Sequence, residues 1–239
     1  MSLPRYRPLP PSGASFTLLL YNLGTEKVLS LFYHVLTQQK ILIHTLNLKD
    51  LTPCIEAIAG LIFPLKWQCP FIPLCPIEMA TCIESPMPVL MGISTTYFDE
   101  KENEPDPETV YIVSLDNGPL PDYQKKFKGL PSKLLNPLKT ALTAIEKDLR
   151  QLGKKLGFGL DDPDDEDRRQ KLEARLRQEF LKFMCSCLQR YRQFLKPIRQ
   201  RPSTGATDLN MLFNVEKFIK HNSAGSKTSL DFYNLFTQE

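Results

Sequence analysis

Three histidines, six cysteines and two glycine-marked stretches are the residues of this chain whose types could turn over a substrate, hold a metal or cradle a phosphate. His34, His44 and His221 fall in three separate segments, none beside a nucleophile signature. That pattern predicts structural imidazoles and no covalent nucleophile. Cys69, Cys75 and Cys82 share one short stretch, but structural zinc ligands pair at closer spacing, and Cys185-Ser186-Cys187 is closer still. No metal site is expected. Gly157-Phe158-Gly159 lacks the third glycine of a dinucleotide fingerprint, and Gly225-Ser226-Lys227-Thr228 lacks the adjacent Gly-Lys pair and loop glycine of a phosphate cradle. The expectation is a protein with no cofactor and no covalent catalysis.

Composition narrows the class further. With 239 residues the chain can bury a core without staples, and 42% hydrophobic and 24% charged content are ordinary for a globular protein. Thirty basic residues against 27 acidic leave a formal net charge of +3, which argues for no nucleic-acid partner. The cysteines sit in apolar sequence with no leading signal peptide and no glycosylation sequon, the pattern of reduced thiols in a cytoplasmic protein. No apolar run reaches the roughly 20 residues that span a bilayer, so any membrane association is expected to be peripheral. The basic loop Arg199-Gln200-Arg201, with Lys196, follows a helix end, where cations are favoured in any case.

The elements that must position any site are read from periodicity. Residues 1–14 form a Pro/Arg-rich arm, of extended type over Met1–Ser12. From Thr25 as N-cap, Val28, Leu29, Phe32, Val35 and Leu36 recur at helical spacing, and the β-branched run Lys40–His44 suits a strand covered on both faces. A second helix starts near Asp50 or Thr52 with Pro53 in its first turn and carries the stripe Leu51, Cys54, Ile55, Ile58, Ala59, Ile62 and Phe63. The stretch holding Pro70, Pro73 and Pro76 belongs at a sheet edge, because proline cannot donate to a central ladder. A short helix over Ile77–Glu84 precedes strands at Pro88–Ile93 and Val110–Leu115, with a solvated acidic loop Asp99–Glu108 between them. Further on, Leu134–Leu152 reads as a helix and Gly153–Asp167 as a break. From Arg168 one seam runs through Leu172, Leu176, Phe180, Phe183, Met184, Cys187, Leu188, Tyr191, Phe194 and Leu195, ended by Pro197. Helices Leu209–Lys220 and Leu230–Gln238 follow.

Three blocks carry a family resemblance. Leu36-Thr37-Gln38-Gln39-Lys40-Ile41-Leu42-Ile43-His44 leads from a helix through a polar, basic turn into an aliphatic strand. Phe63-Pro64-Leu65-Lys66-Trp67-Gln68-Cys69-Pro70-Phe71-Ile72-Pro73 sets prolines around the only tryptophan, and Glu84-Ser85-Pro86-Met87-Pro88-Val89-Leu90-Met91-Gly92-Ile93 is a loop and strand. In this order they resemble the central part of the DENN domain. Phe180–Phe183, Phe213–Phe218 and Asp231–Gln238 resemble its downstream region. The tryptophan block and Ser94-Thr95-Thr96-Tyr97-Phe98-Asp99 are most similar to the subfamily that includes the c-Myc-promoter-binding protein.

The resemblance implies an α/β fold, a three-layer sheet with flanking helices over residues 15–120. A connecting helix and acidic linker would fill residues 121–166, and an all-α downstream subdomain residues 167–239. It also implies a guanine-nucleotide exchange factor for a Rab GTPase in vesicle trafficking, with a Rab10-like protein the first candidate, placed in the cytoplasm or peripherally on vesicle or Golgi membranes. The family's longin-like module precedes its central part, and here only the Pro/Arg-rich arm stands in that place, so the resemblance implies that this module is missing. An exchange factor needs no nucleophile; it needs a surface that prefers the nucleotide-free GTPase. On this reading, loops at one edge of the sheet hold the GTPase switch regions. The implied contacts are Glu84, Ser85, Pro86, Met87 and Pro88 with Asp116 and Asn117, polar or turn-forming groups projected by strands. Trp67, Phe71 and Ile72 read as core. The alternative is a non-catalytic scaffold or adaptor whose helical half binds a partner.

Overall fold

Apolar runs alternating with amphipathic helices fold into a parallel sheet, as their order dictates. The computed structural model describes residues 13–99, 105–106, 109–116, 129–156, 163–197, 211–223 and 226–237. Strands β1 (Lys40–Thr45), β2 (Phe71–Ile72), β3 (Leu90–Ser94) and β4 (Val110–Ser114) lie in the order β2-β3-β1-β4, all parallel. Ile41 is in register with Leu90 on one side and Tyr111 on the other. Ile41 and Ile43 of the central β1 pack in one cluster with helices α1 (Phe16–Leu36) and α2 (Leu48–Gly60). Leu42 packs on the opposite face with Met91, Ile93, Ala80, Ile83 and Tyr97, so short 3-10 helices, Ile77–Glu84 and Thr95–Asp99, cover that side. β1 is thus buried on both faces, as its composition predicts.

Helix α1 is longer than expected. A segment Phe16–Leu23 precedes Gly24, whose φ of +73° breaks the helix, and the second segment starts at the expected Thr25. Each segment's amino end is capped by a carboxylate from the second half of the chain. Glu173 accepts the Phe16 and Thr17 amides at 2.9 and 2.8 Å, and Glu146 accepts the Thr25 amide and hydroxyl at 2.9 and 2.6 Å. Free helix amides and the helix dipole both favour such partners. Helix α2 begins at Leu48, so Pro53 lies in its second turn rather than its first, and the Pro53 carbonyl accepts the Ser15 amide at 3.0 Å.

The proline-spaced stretch forms the sheet edge, as expected of a segment short of donors. Pro70 accepts from Leu90 at 3.1 Å and Cys75 donates to Gly92 at 2.7 Å. Trp67 is half-buried against the main core, and its indole N–H donates to the Pro70 carbonyl at 3.1 Å. Ile72 is half-buried on the second cluster, but Phe71, expected in the core, is 39% exposed because β2 is the edge strand and, among the described residues, no strand pairs on its outer side. Gly92 allows the crossing beneath it, since a Cβ there would stand 2.2 Å from Ile55 Cδ1 and 2.4 Å from the Pro73 carbonyl oxygen.

The second half departs from an all-α unit. Helices α3 (Ser132–Leu156) and α4 (Pro163–Cys187) pack on α1, with Phe32 edge-on to Phe180 and Phe183 at 5.0 Å each. The α4 seam stops at Cys187 instead of continuing to Leu195. The chain turns through Arg190 at φ +62°, and Tyr191 is exposed. Strand β5 (Leu195–Pro197) then pairs antiparallel with β6 (Met211–Phe213), so the helix expected from Leu209 begins only at Val215. Helices α5 (Val215–Ser223) and α6 (Lys227–Phe236) complete the fold. Most of the Asp99–Glu108 loop, the Gly157–Gly159 stretch and the Arg199–Gly205 loop lie outside the described residues. Among the described residues, no helix is long and apolar enough to cross a membrane.

Candidate functional site

At the carboxyl end of the sheet, adjacent strands send the chain to opposite faces. β1 leads into α2, whose Leu51, Ile55 and Ile58 pack with the helical core, whereas β3 leads into the Thr95–Asp99 turn, whose Tyr97 packs on the other cluster. Such a divergence opens a crevice beyond the strand ends, the usual ligand position in open α/β sheets. Asp116, just past β4, bridges it. Its Oδ1 accepts the Thr45 hydroxyl at 2.8 Å, and its Oδ2 accepts the Leu46 amide at 2.9 Å and the Thr95 hydroxyl at 3.2 Å. With Thr95 donating to Asp116, the His44 Nδ1 at 3.0 Å from Thr95 Oγ1 is the donor to that hydroxyl, and the imidazole rests on Phe98. A carboxylate offers about four acceptor positions, so the three donors found among the described residues leave capacity for one more.

The loop over this crevice is held short. The Asn47 amide donates to Thr45 Oγ1 at 3.1 Å and its side-chain amide to Asp50 at 2.7 Å. Leu46 on that loop is 69% exposed, an apolar side chain presented on a fixed backbone.

The expected loop Glu84–Pro88 is elsewhere. It feeds the start of β3, and parallel strands of five residues place it about 15 Å from the Asp116 end. Glu84, Pro86 and Met87 are exposed and Ser85 and Pro88 half-buried, with Ser85 Oγ accepting the Met87 amide at 3.4 Å. Beside Glu84 a cleft of about 410 Å³ is lined by Lys40, Ile83, Tyr97, Asp106 and Thr109. Burial, then the Glu84 carboxylate and Cys75, push the Tyr97 hydroxyl up. Lys40 there donates to the Ile83 carbonyl at 3.3 Å. The two groups of expected contacts are therefore not brought together, and Asn117 lies outside the described residues.

Thr45, Leu46, Thr95 and His44 were not singled out as site residues by sequence reasoning. Their signal is positional: hydroxyl residues ending two parallel strands that turn to opposite faces. The remaining histidines stand apart, His34 stacked on Tyr111 at 3.9 Å and His221 against Phe194. Burial, with Asp50 and Glu173 nearby, pushes the Cys54 thiol up to about 12, and burial does the same for Cys187 against a hydrogen bond from Tyr233. Neither thiol is poised for chemistry at neutral pH.

Residues 1–118 match the family model of the DENN (AEX-3) domain. The chain is similar to DENN domain-containing protein 1B of Homo sapiens, 28% identical over 135 residues, 56% of this chain and 17% of that protein. The mouse protein of that name is 27% identical over 135 residues, 56% and 18%. DENN domain-containing protein 1A of Xenopus laevis is 26% identical over 231 residues, 96% of this chain and 20% of that protein. The chain thus spans about a fifth or less of the length of these relatives.

Proposed function

This chain is a DENN-domain protein, and from that premise we propose that it acts as a guanine-nucleotide exchange factor for a Rab-family GTPase in membrane trafficking, binding the switch regions and releasing GDP. A Rab10-like GTPase, suggested by the likeness to the c-Myc-promoter-binding subfamily, is the first substrate to try. The observation that carries the reading is the anchored Asp116 carboxylate with spare acceptor capacity in the crevice where β1 and β3 diverge. A basic side chain or backbone amide of a switch region fits that acceptor, and the exposed Leu46 beside it offers apolar contact. Exchange requires a preference for the nucleotide-free GTPase, and because coupling is reciprocal a 1,000-fold preference weakens nucleotide binding by the same factor, about 4 kcal/mol.

Asp116 and Asn117 form the principal contact in this proposal. Glu84, Ser85, Pro86, Met87 and Pro88 form a second contact at the other end of the sheet, which a GTPase reaches only if it spans the strand length. The test is fluorescent-GDP release from a panel of purified Rabs, with the full chain as exchange factor. Accelerated release from one or a few Rabs is expected. Binding without acceleration would replace the exchange reading by that of an adaptor.

A further inference from the structure

The two oxygens of Asp116 are not equally used. Oδ2 accepts twice, from the Leu46 amide at 2.9 Å and the Thr95 hydroxyl at 3.2 Å, whereas among the described residues Oδ1 accepts only the Thr45 hydroxyl at 2.8 Å. Each carboxylate oxygen carries about two lone pairs, so Oδ2 is filled and the open position lies on Oδ1. That asymmetry decides which cation fits. A guanidinium bonds a carboxylate best as a fork, one N–H to each oxygen, and here its second prong would meet an oxygen already flanked by two donors. An ammonium is a compact charge at the end of a methylene stem, and one oxygen is enough for it. Leu46, 69% exposed on the same backbone whose amide donates to Oδ2, offers apolar surface along which such a stem can lie.

Both donors that fill Oδ2 are themselves held. His44 Nδ1 stands 3.0 Å from Thr95 Oγ1 and donates to it, which leaves the hydroxyl proton for Asp116. The His44 ring is buried against Phe98, with centroids 4.7 Å apart, so packing sets its direction. The Leu46 amide is fixed by the turn around it, where the Thr45 hydroxyl donates to Oδ1 and accepts the Asn47 amide at 3.1 Å.

We propose that this end of the sheet selects a single ammonium: Asp116 Oδ1 takes a lysine of the partner protein, and Thr95, oriented by His44, excludes the forked guanidinium of an arginine. As a statement about a GTPase this rests on the exchange reading, but the selectivity belongs to the chain alone and is tested there. The isotopically labelled full chain is titrated with n-butylammonium and with n-butylguanidinium at constant ionic strength, while NMR follows the Asp116 carboxyl carbon and the Leu46 methyls. Butylammonium is expected to half-saturate the Asp116 shift at a concentration about fivefold or more below that of butylguanidinium. Thr95→Val, which removes one donor to Oδ2 at nearly constant volume, should reverse the order, and Thr95→Ser, which keeps the hydroxyl, should preserve it. Equal or guanidinium-first binding to the natural chain, an order unchanged in Thr95→Val, or no shift at Asp116 with either cation would overturn the inference. None of these outcomes needs a GTPase, so a chain that fails to release GDP yet keeps the ammonium-first order loses the exchange reading alone.

Discussion

At the carboxyl end of the sheet, side chains are fixed by hydrogen bonds: Asp116 joins Thr45, Leu46 and Thr95, and His44 backs Thr95. Along the β2 edge the partly exposed side chains of Phe71 and Leu74 are carried on a backbone that proline has stiffened. One end positions a charge and the other offers adhesive surface. Direction comes from the first and burial area from the second, so substitutions should cost stability at the carboxyl end and leave it nearly unchanged at the edge.

The largest expected effect breaks both regions together. Gly92→Ala forces a Cβ into Ile55 and the Pro73 carbonyl, which joins the edge to the helical layer, and overpacking of that kind costs about 3 kcal/mol. Urea unfolding should show the loss, with β2 released from β3. Next, Asp116→Ala leaves the Thr45 hydroxyl and the Leu46 amide without their partner, a cost of about 1–2 kcal/mol in the same assay. Asp116→Asn, which keeps an acceptor, should cost less.

The third prediction asks whether pinning by a carboxylate is peculiar to the carboxyl end. Burial pushes the Glu146 carboxyl up, but the Thr25 hydroxyl and amide and the Arg150 guanidinium outweigh it and hold the group below the ordinary glutamate range. The unfolded chain then binds the proton more readily, so Glu146 stabilises fully above about pH 4.3 and progressively less as pH falls through its depressed folded value. The stability gap between the natural chain and Glu146→Gln should narrow on acidification below that pH. A gap that widens would show that the cap is not ionised. The smallest effect belongs to the edge, where Leu74→Ser should cost less than about 1 kcal/mol, because about half of that side chain is already in solvent.

Much of this division was readable in the sequence. Lys40–His44 announces a buried central strand, and the prolines at 70, 73 and 76 announce an edge, because both are local rules of backbone and burial. Phe71 was misread since apolarity says a residue prefers burial, not that a neighbour exists to bury it. The helix before Gly24 and the break at Arg190 depend on positive φ values, and at Arg190 no glycine marks the turn. Met211–Phe213 fits helix or strand alike, and only its pairing with Leu195–Pro197 decides. The separation of Glu84–Pro88 from Asp116 was hidden because strand direction is a property of the whole sheet, not of either loop.

The sharpest test compares charge reversal at the two ends in one assay of GDP release from the most responsive Rab. The account predicts that Asp116→Lys abolishes acceleration, that Asp116→Asn, which loses the spare acceptor position, reduces it, and that Glu84→Lys has the smaller effect. Acceleration unchanged in a folded Asp116→Lys chain would contradict it, as would loss through Glu84→Lys alone.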